Sequence, residues 1–152
     1  MLNEGDKVPA LKARLSDGTE LDLSAPGQPL LLYFYPKDDT SGCTVEAQDF
    51  TARRKDFEAA GAVVIGVSKD SVKKHANFRK KYELTHALAS DETGEMLERY
   101  GVWIEKSMYG RKYMGIERAT FLIGADGRIA RAWRKVKVTG HAEDVLKAVQ
   151  AG

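Results

Sequence analysis

Apolar residues change their rhythm several times along this chain, and each change marks an element. Leu11, Ala13 and Leu15 alternate with polar neighbours, Ser16-Asp17-Gly18-Thr19 interrupts, and Leu21 and Leu23 resume, which predicts a β-hairpin about the Asp-Gly pair. After the loop Ala25-Pro26-Gly27-Gln28-Pro29, the run Leu30 to Tyr35 is apolar without a break, as in a central strand buried on both faces. From Thr44 to about Ala60 the spacing becomes helical. Ala47, Phe50, Arg54 and Phe57 recur at steps of three and four, and Gly61 stands where a helix closes in a left-handed residue. Ala62 to Ser68 is a second buried strand, so the strand–helix–strand order predicts a parallel pair.

Ser71 suits the N-cap of a further helix, with His75, Phe78 and Tyr82 on one face. Ala87-Leu88-Ala89 is a short strand, and Glu95 to Tyr100 a short helix offering Met96, Leu97 and Tyr100 to the core. The stretch Val102 to Gly115, with its scattered aromatics and glycines, reads as an ordered loop beside the site rather than a regular element. Ala119 to Ile123 is a strand, Ala125-Asp126-Gly127-Arg128 a hairpin turn, Ile129 to Val136 the returning strand, and Ala142 to Gln150 a closing helix on Val145, Leu146 and Val149. A parallel core with an antiparallel terminal hairpin predicts an α/β fold with a central mixed sheet flanked by helices. The thioredoxin-like arrangement leads, because it also sets a cysteine at the start of the helix after a central strand. A flavodoxin-like sheet would need an all-parallel C-terminal half, which the Asp126-Gly127 turn contradicts. Repeats and linkers are absent, so residues 1–152 are expected to form one domain.

Composition narrows the function classes. Hydrophobic residues at 43% and charged residues at 30% describe a soluble globular protein. With 24 basic against 22 acidic residues the formal charge is +2, too balanced for a nucleic-acid partner. Neither an apolar leader at Met1 to Lys7 nor an apolar run of the roughly 18 residues a membrane span needs is present, so the expected location is the cytoplasm, away from membranes. One cysteine cannot form an internal disulfide. It and three scattered histidines give no metal-ligand spacing, so neither metal nor cofactor is expected.

That cysteine, Cys43, is the candidate reactive group. It falls where the central strand hands over to a helix, a place whose unpaired N–H groups and positive dipole end favour an anionic thiolate. Pro36, Thr40 and Cys43 form the spacing Pro-x3-Thr-x2-Cys. A proline over a thiolate keeps bulk water from one side, a threonine hydroxyl can bond both the sulfur and an incoming oxygen, and the Gly42 and Cys43 amides face the same space. Such a site suits reduction of a peroxide by displacement, in which the leaving oxygen needs donors and a cation.

At these residues the chain resembles the peroxiredoxins, specifically the bacterioferritin-comigratory or peroxiredoxin Q subfamily. The matching stretches are Tyr33-Phe34-Tyr35-Pro36 through Gly42-Cys43-Thr44-Val45-Glu46-Ala47, Ile65 to Ser71, Ser90-Asp91, Tyr100-Gly101-Val102-Trp103, Tyr109-Gly110, Gly115 to Ile123, and Trp133 to Ala142. The resemblance implies a thioredoxin-like fold and a thiol peroxidase acting on hydrogen peroxide and organic (alkyl) hydroperoxides. It implies that Cys43 is the peroxidatic nucleophile, Thr40 orients the peroxide, Pro36 shields the sulfur, and Arg118 stabilises thiolate and transition state. It also implies a monomer. The chain departs from the family where many members carry a resolving cysteine five residues after the first; that position is Gln48 here, and residues 71–82 hold no cysteine either. A one-cysteine cycle follows, resolved by an external thiol such as thioredoxin, glutaredoxin or glutathione.

Other residues read more plainly. Glu46 complements the helix dipole or tethers Arg118. Asp38 and Asp39 are solvated loop acids, His75 is a core or boundary residue, and Trp103, Tyr109 and Tyr113 either wall the peroxide pocket or, the plainer role, pack. The basic terminal hairpin, with Arg128, Arg131, Arg134, Lys135 and Lys137, guards a sheet edge. Two other functions share this fold. Thioredoxin-type thiol–disulfide exchange lacks its second sulfur, since positions 40 and 46 are Thr and Glu. A chaperone-like or binding protein on the same fold would have no use for Pro36, Thr40, Cys43 and Arg118 together.

Overall fold

The computed structural model describes residues 2–152. Among them, strands β1 (Lys12–Leu15), β2 (Glu20–Asp22), β3 (Leu30–Phe34), β4 (Val63–Ser68), β5 (Ala87–Ser90), β8 (Ala119–Ile123) and β9 (Ile129–Trp133) make one sheet in the order β2-β1-β5-β4-β3-β8-β9. Leu30 to Phe34 is wholly buried in its interior, between β4 and β8. β3 pairs β4 in parallel, as the crossover predicts, and β8 antiparallel on its other side. β8 and β9 are the terminal hairpin. This mixed sheet is the thioredoxin-like arrangement and excludes the flavodoxin-like one.

Alternation along β3 divides the core. Leu30, Leu32 and Phe34 join Ile65, Val67 and Phe121 of the sheet with Met96 and Leu97 of α4 (Glu95–Arg99), and with Tyr100, Val102 and Ile116, in one cluster. Leu31, Tyr33 and Tyr35 join Cys43, Phe50, Phe57, Phe78, Val145 and Leu146 on the opposite face. That face is covered by α1 (Ser41–Ala52), α2 (Arg54–Ala59), α3 (Val72–Tyr82) and α5 (His141–Ala151). Tyr33 fits there because its parallel neighbour is Gly66: a Cβ on Gly66 would stand 2.7 Å from the Tyr33 ring and 3.0 Å from Leu88.

Three expectations change. The single helix drawn from Thr44 to Ala60 starts earlier, at Ser41, and breaks at Arg53. There the Arg53 side chain donates to the Asp49 carbonyl at 3.1 Å, the acceptor its own amide would take in a continuous helix, and that amide turns to Phe50 instead. The stretch 102–115 is a regular hairpin, β6 (Trp103–Met108) with β7 (Arg111–Ile116). Its turn residues Tyr109 and Gly110 both take positive φ, 52° and 78°, the geometry of a two-residue type I′ turn. The last strand stops at Trp133 rather than Val136, as Lys135 enters the left-handed region.

Candidate active site

β3 ends at Phe34, Tyr35 donates its amide to Val67, and residues 36–40 then carry the chain into α1. Thr40 is the extended N-cap, and its carbonyl accepts the first helical bond from Thr44 at 2.8 Å. Ser41, Gly42 and Cys43 therefore form the first turn, where backbone N–H groups lack helical acceptors and the dipole favours negative charge. Cys43 is buried, with 2% of its surface exposed.

The cation comes from across the sheet. Because Phe34 pairs Ala119 in register, Arg118 stands just beyond the end of β3, level with the helix start. Its Nη2 donates to the Cys43 sulfur at 3.3 Å and its Nη1 to Glu46 Oε1 at 2.6 Å. Glu46 lies in the second turn of α1 rather than the first, and of its two expected roles the tether is the one present. Its Oε2 is buried without a partner among the described residues. Burial accordingly outweighs the pull of Arg118 and lifts the Glu46 carboxyl from 4.5 to about 7. Arg118 loses something to its own burial, but the charges of Glu46 and Cys43 hold it more firmly as a cation.

Thr40 and Pro36 occupy the exposed rim of the same turn. The Thr40 hydroxyl donates to the Lys37 carbonyl at 2.8 Å rather than to the sulfur. Lys106 of β6 borders the site, and burial followed by the charge of Arg118 lowers its pKa.

Asp38 is not a solvated acid. It is buried, takes the Tyr35 hydroxyl on Oδ1, and meets His75 Nδ1 at 2.7 Å. Asp39 is exposed, yet its carboxylate accepts from Lys81 at 2.8 Å and Tyr82 at 2.5 Å. Asp38, Asp70 and His75 each bring one ligand-type atom within 4.8 Å of the others, a cluster that spacing along the chain did not reveal. Hydrogen bonds within and around the cluster already engage all three side chains. His75 is a core residue, as expected. His86 bonds Tyr33 at 2.7 Å and His141 bonds Thr120 at 2.7 Å, and each ring meets Phe50 edge-on at 6.3 Å. Burial lowers their pKa values to about 3 and about 4, so both rings are neutral near pH 7.

Comparison with known proteins agrees with this geometry. The model of the AhpC/TSA family matches residues 4–132. The chain is 49% identical to the peroxiredoxin Bcp of Xanthomonas campestris over 93% of its own length and 89% of that protein. It is 44% identical to the peroxiredoxin Bcp of Bacillus subtilis, covering 96% and 94% of the two chains. A structure of the Xanthomonas campestris bacterioferritin comigratory protein, studied for its alkyl peroxide reduction activity, superposes with a TM-score of 0.89 at 46% identity, covering 96% of this chain and 98% of that one. The chain belongs to the AhpC/TSA family and, within it, to the peroxiredoxins of the Bcp type.

Proposed function

We propose that this peroxiredoxin is a thiol-dependent peroxidase that uses Cys43 as its nucleophile and takes its resolving thiol from another molecule. The observation that carries the reading is the Arg118 guanidinium, anchored by Glu46 and donating to the Cys43 sulfur at the start of α1. In the first step the thiolate attacks one peroxide oxygen. A sulfur–oxygen bond forms, the oxygen–oxygen bond breaks, and the second oxygen leaves with the electron pair as hydroxide or alkoxide and takes up a proton. Arg118 offers charge to sulfur and oxygen alike as negative charge moves between them. Thr40, whose proton is committed to Lys37, presents its lone pairs and so accepts the hydroxyl hydrogen of an incoming hydroperoxide. Pro36 on the rim limits water around the sulfur.

Cys43 is the chain's one cysteine, which supports an intermolecular second half. A first external thiol attacks the sulfenic acid, releases water and forms a mixed disulfide; a second thiol releases Cys43 reduced. Glutathione, glutaredoxin and thioredoxin all have the required chemistry, and a compartment that keeps them reduced, the cytoplasm, is the setting proposed. Intact mass after one equivalent of peroxide tests the cycle. The protein is expected to gain one oxygen and, when glutathione is added, to lose that oxygen as water and end heavier than its reduced form by one glutathione less two hydrogens, while Cys43→Ser consumes no peroxide. A Cys43→Ser protein with full peroxidase activity would end the proposal.

A further inference from the structure

We propose that Asp38 and His75 are positioning residues for the peroxide site, hanging the 36–40 loop from α3 and so fixing where Pro36 and Thr40 stand beside Cys43. The inference rests on the peroxidase reading above. Asp38 sits in the middle of that loop, 37 residues from His75, which is fully buried on α3. One ring nitrogen, Nε2, faces the Ala89 carbonyl of β5 at 2.9 Å, and a carbonyl only accepts, so Nε2 carries hydrogen. The other, Nδ1, shares a proton with Asp38 Oδ2, and Oδ1 accepts the hydroxyl of Tyr35. A continuous chain of hydrogen bonds thus runs from strand to loop to helix to strand. The Asp38 amide is held as well, donating to Asp70 Oδ2 at 2.8 Å, the oxygen that also accepts from Ser68 at 2.7 Å. Asp39 ties the next residue to Lys81 and Tyr82 on or near the end of the same helix. Thr40 is bonded back to Lys37 within the loop.

The two halves of the site consequently hang from different parts of the sheet. The sulfur is held from β8 through Arg118, and the loop is held from α3 and β5 through Asp38 and His75. Loosening the second should misplace Thr40 and Pro36 while leaving the contact between Cys43 and Arg118 in place. A merely structural pair would lower stability without separating the two.

Two reactions of Cys43 tell these apart: sulfenic acid formation in a single turnover with hydrogen peroxide, which needs the loop, and alkylation by iodoacetamide, which needs only an accessible thiolate. In Asp38→Ala and in His75→Gln, the peroxide rate is expected to fall by about tenfold to a hundredfold, the scale of a misplacement near 1 Å. The alkylation rate should not fall by more than about twofold, since it reads the sulfur and its access and not the placement of Thr40. Asp38→Asn should rescue, because its amide can accept from Tyr35 and donate to a neutral His75 in the same shape. Circular dichroism establishes that each variant is folded, and should His75→Gln not fold, the two Asp38 variants decide. The proposal is overturned if Asp38→Ala keeps its peroxide rate, if both reactions slow together, or if a folded Asp38→Asn is as slow as Asp38→Ala. A wild-type protein that forms no sulfenic acid defeats the peroxidase reading itself, and the positioning role falls with it.

Discussion

At the scale of single residues, the site divides into what is near in sequence and what is far. Pro36, Thr40 and Cys43 were legible because one turn carries all three. The clamp on Arg118 joins residues 72 and 75 positions apart, and its geometry appears only once β8 lies against β3. Glu46, expected either to complement the dipole or to tether Arg118, is the tether, and its burial is what the sequence did not show. Its raised pKa has a definite sign for stability. The folded state keeps the Glu46 proton to higher pH than the unfolded chain does, so its favourable contribution is complete below about 4.5 and is lost as pH rises through about 7. Wild-type stability should therefore decline against Glu46→Gln across that window, by on the order of 3 kcal/mol after any constant offset from the lost ion pair. Denaturant unfolding of both proteins at several pH values measures the difference; a difference that stays flat between pH 4.5 and 7 would exclude a raised carboxyl.

Among the elements, those read correctly had a single dominant signal. β3 is a pure apolar run, α3 has its Ser71 cap accepting from Lys74 at 3.2 Å, and the Asp17-Gly18 hairpin has clean alternation. The β6–β7 hairpin leaves little mark in the sequence because its two-residue turn is Tyr-Gly rather than Asn-Gly, and because it stands outside the main sheet with much of it exposed, so neither face shows an apolar stripe. The break at Arg53 left no mark in the sequence, since an arginine inside a helix is ordinary. Gly66 is the element-level residue with the plainest physical demand. Its φ needs no glycine, but its missing Cβ makes room for the Tyr33 ring, which stacks 4.7 Å from Phe50 of α1 and bonds His86. Gly66→Ala is expected to cost about 1–3 kcal/mol, the range for overpacking a filled core. Its urea midpoint should fall, and a variant as stable as wild type would show that Tyr33 has space to move.

The whole molecule combines a rigid sheet with a reactive sulfur placed on the first turn of one helix, and that bears on how an oxidised Cys43 meets a thiol. Cys43 is buried and Gln48 exposed on the same helix. Five residues along an ideal helix separate two Cα atoms by about 8.6 Å and turn them about 140° apart. A disulfide tolerates roughly 7 Å at most, so a cysteine at position 48 could reach position 43 only if the start of α1 opened. Opening it breaks the contact between Arg118 and the sulfur but leaves β3 bonded to β4 and β8 on both sides, so the sheet has no reason to follow. Gln48→Cys is therefore a reporter of this motion. After one equivalent of peroxide the variant should end two hydrogens lighter than its reduced form, having lost water from the sulfenic acid as the disulfide closed. Amide exchange in the oxidised variant should quicken over residues 41–48 and stay slow in β3. An oxidised variant that keeps its added oxygen would show that the first turn remains closed, and an external thiol would then have to reach the sulfur from the exposed rim at Pro36 and Thr40.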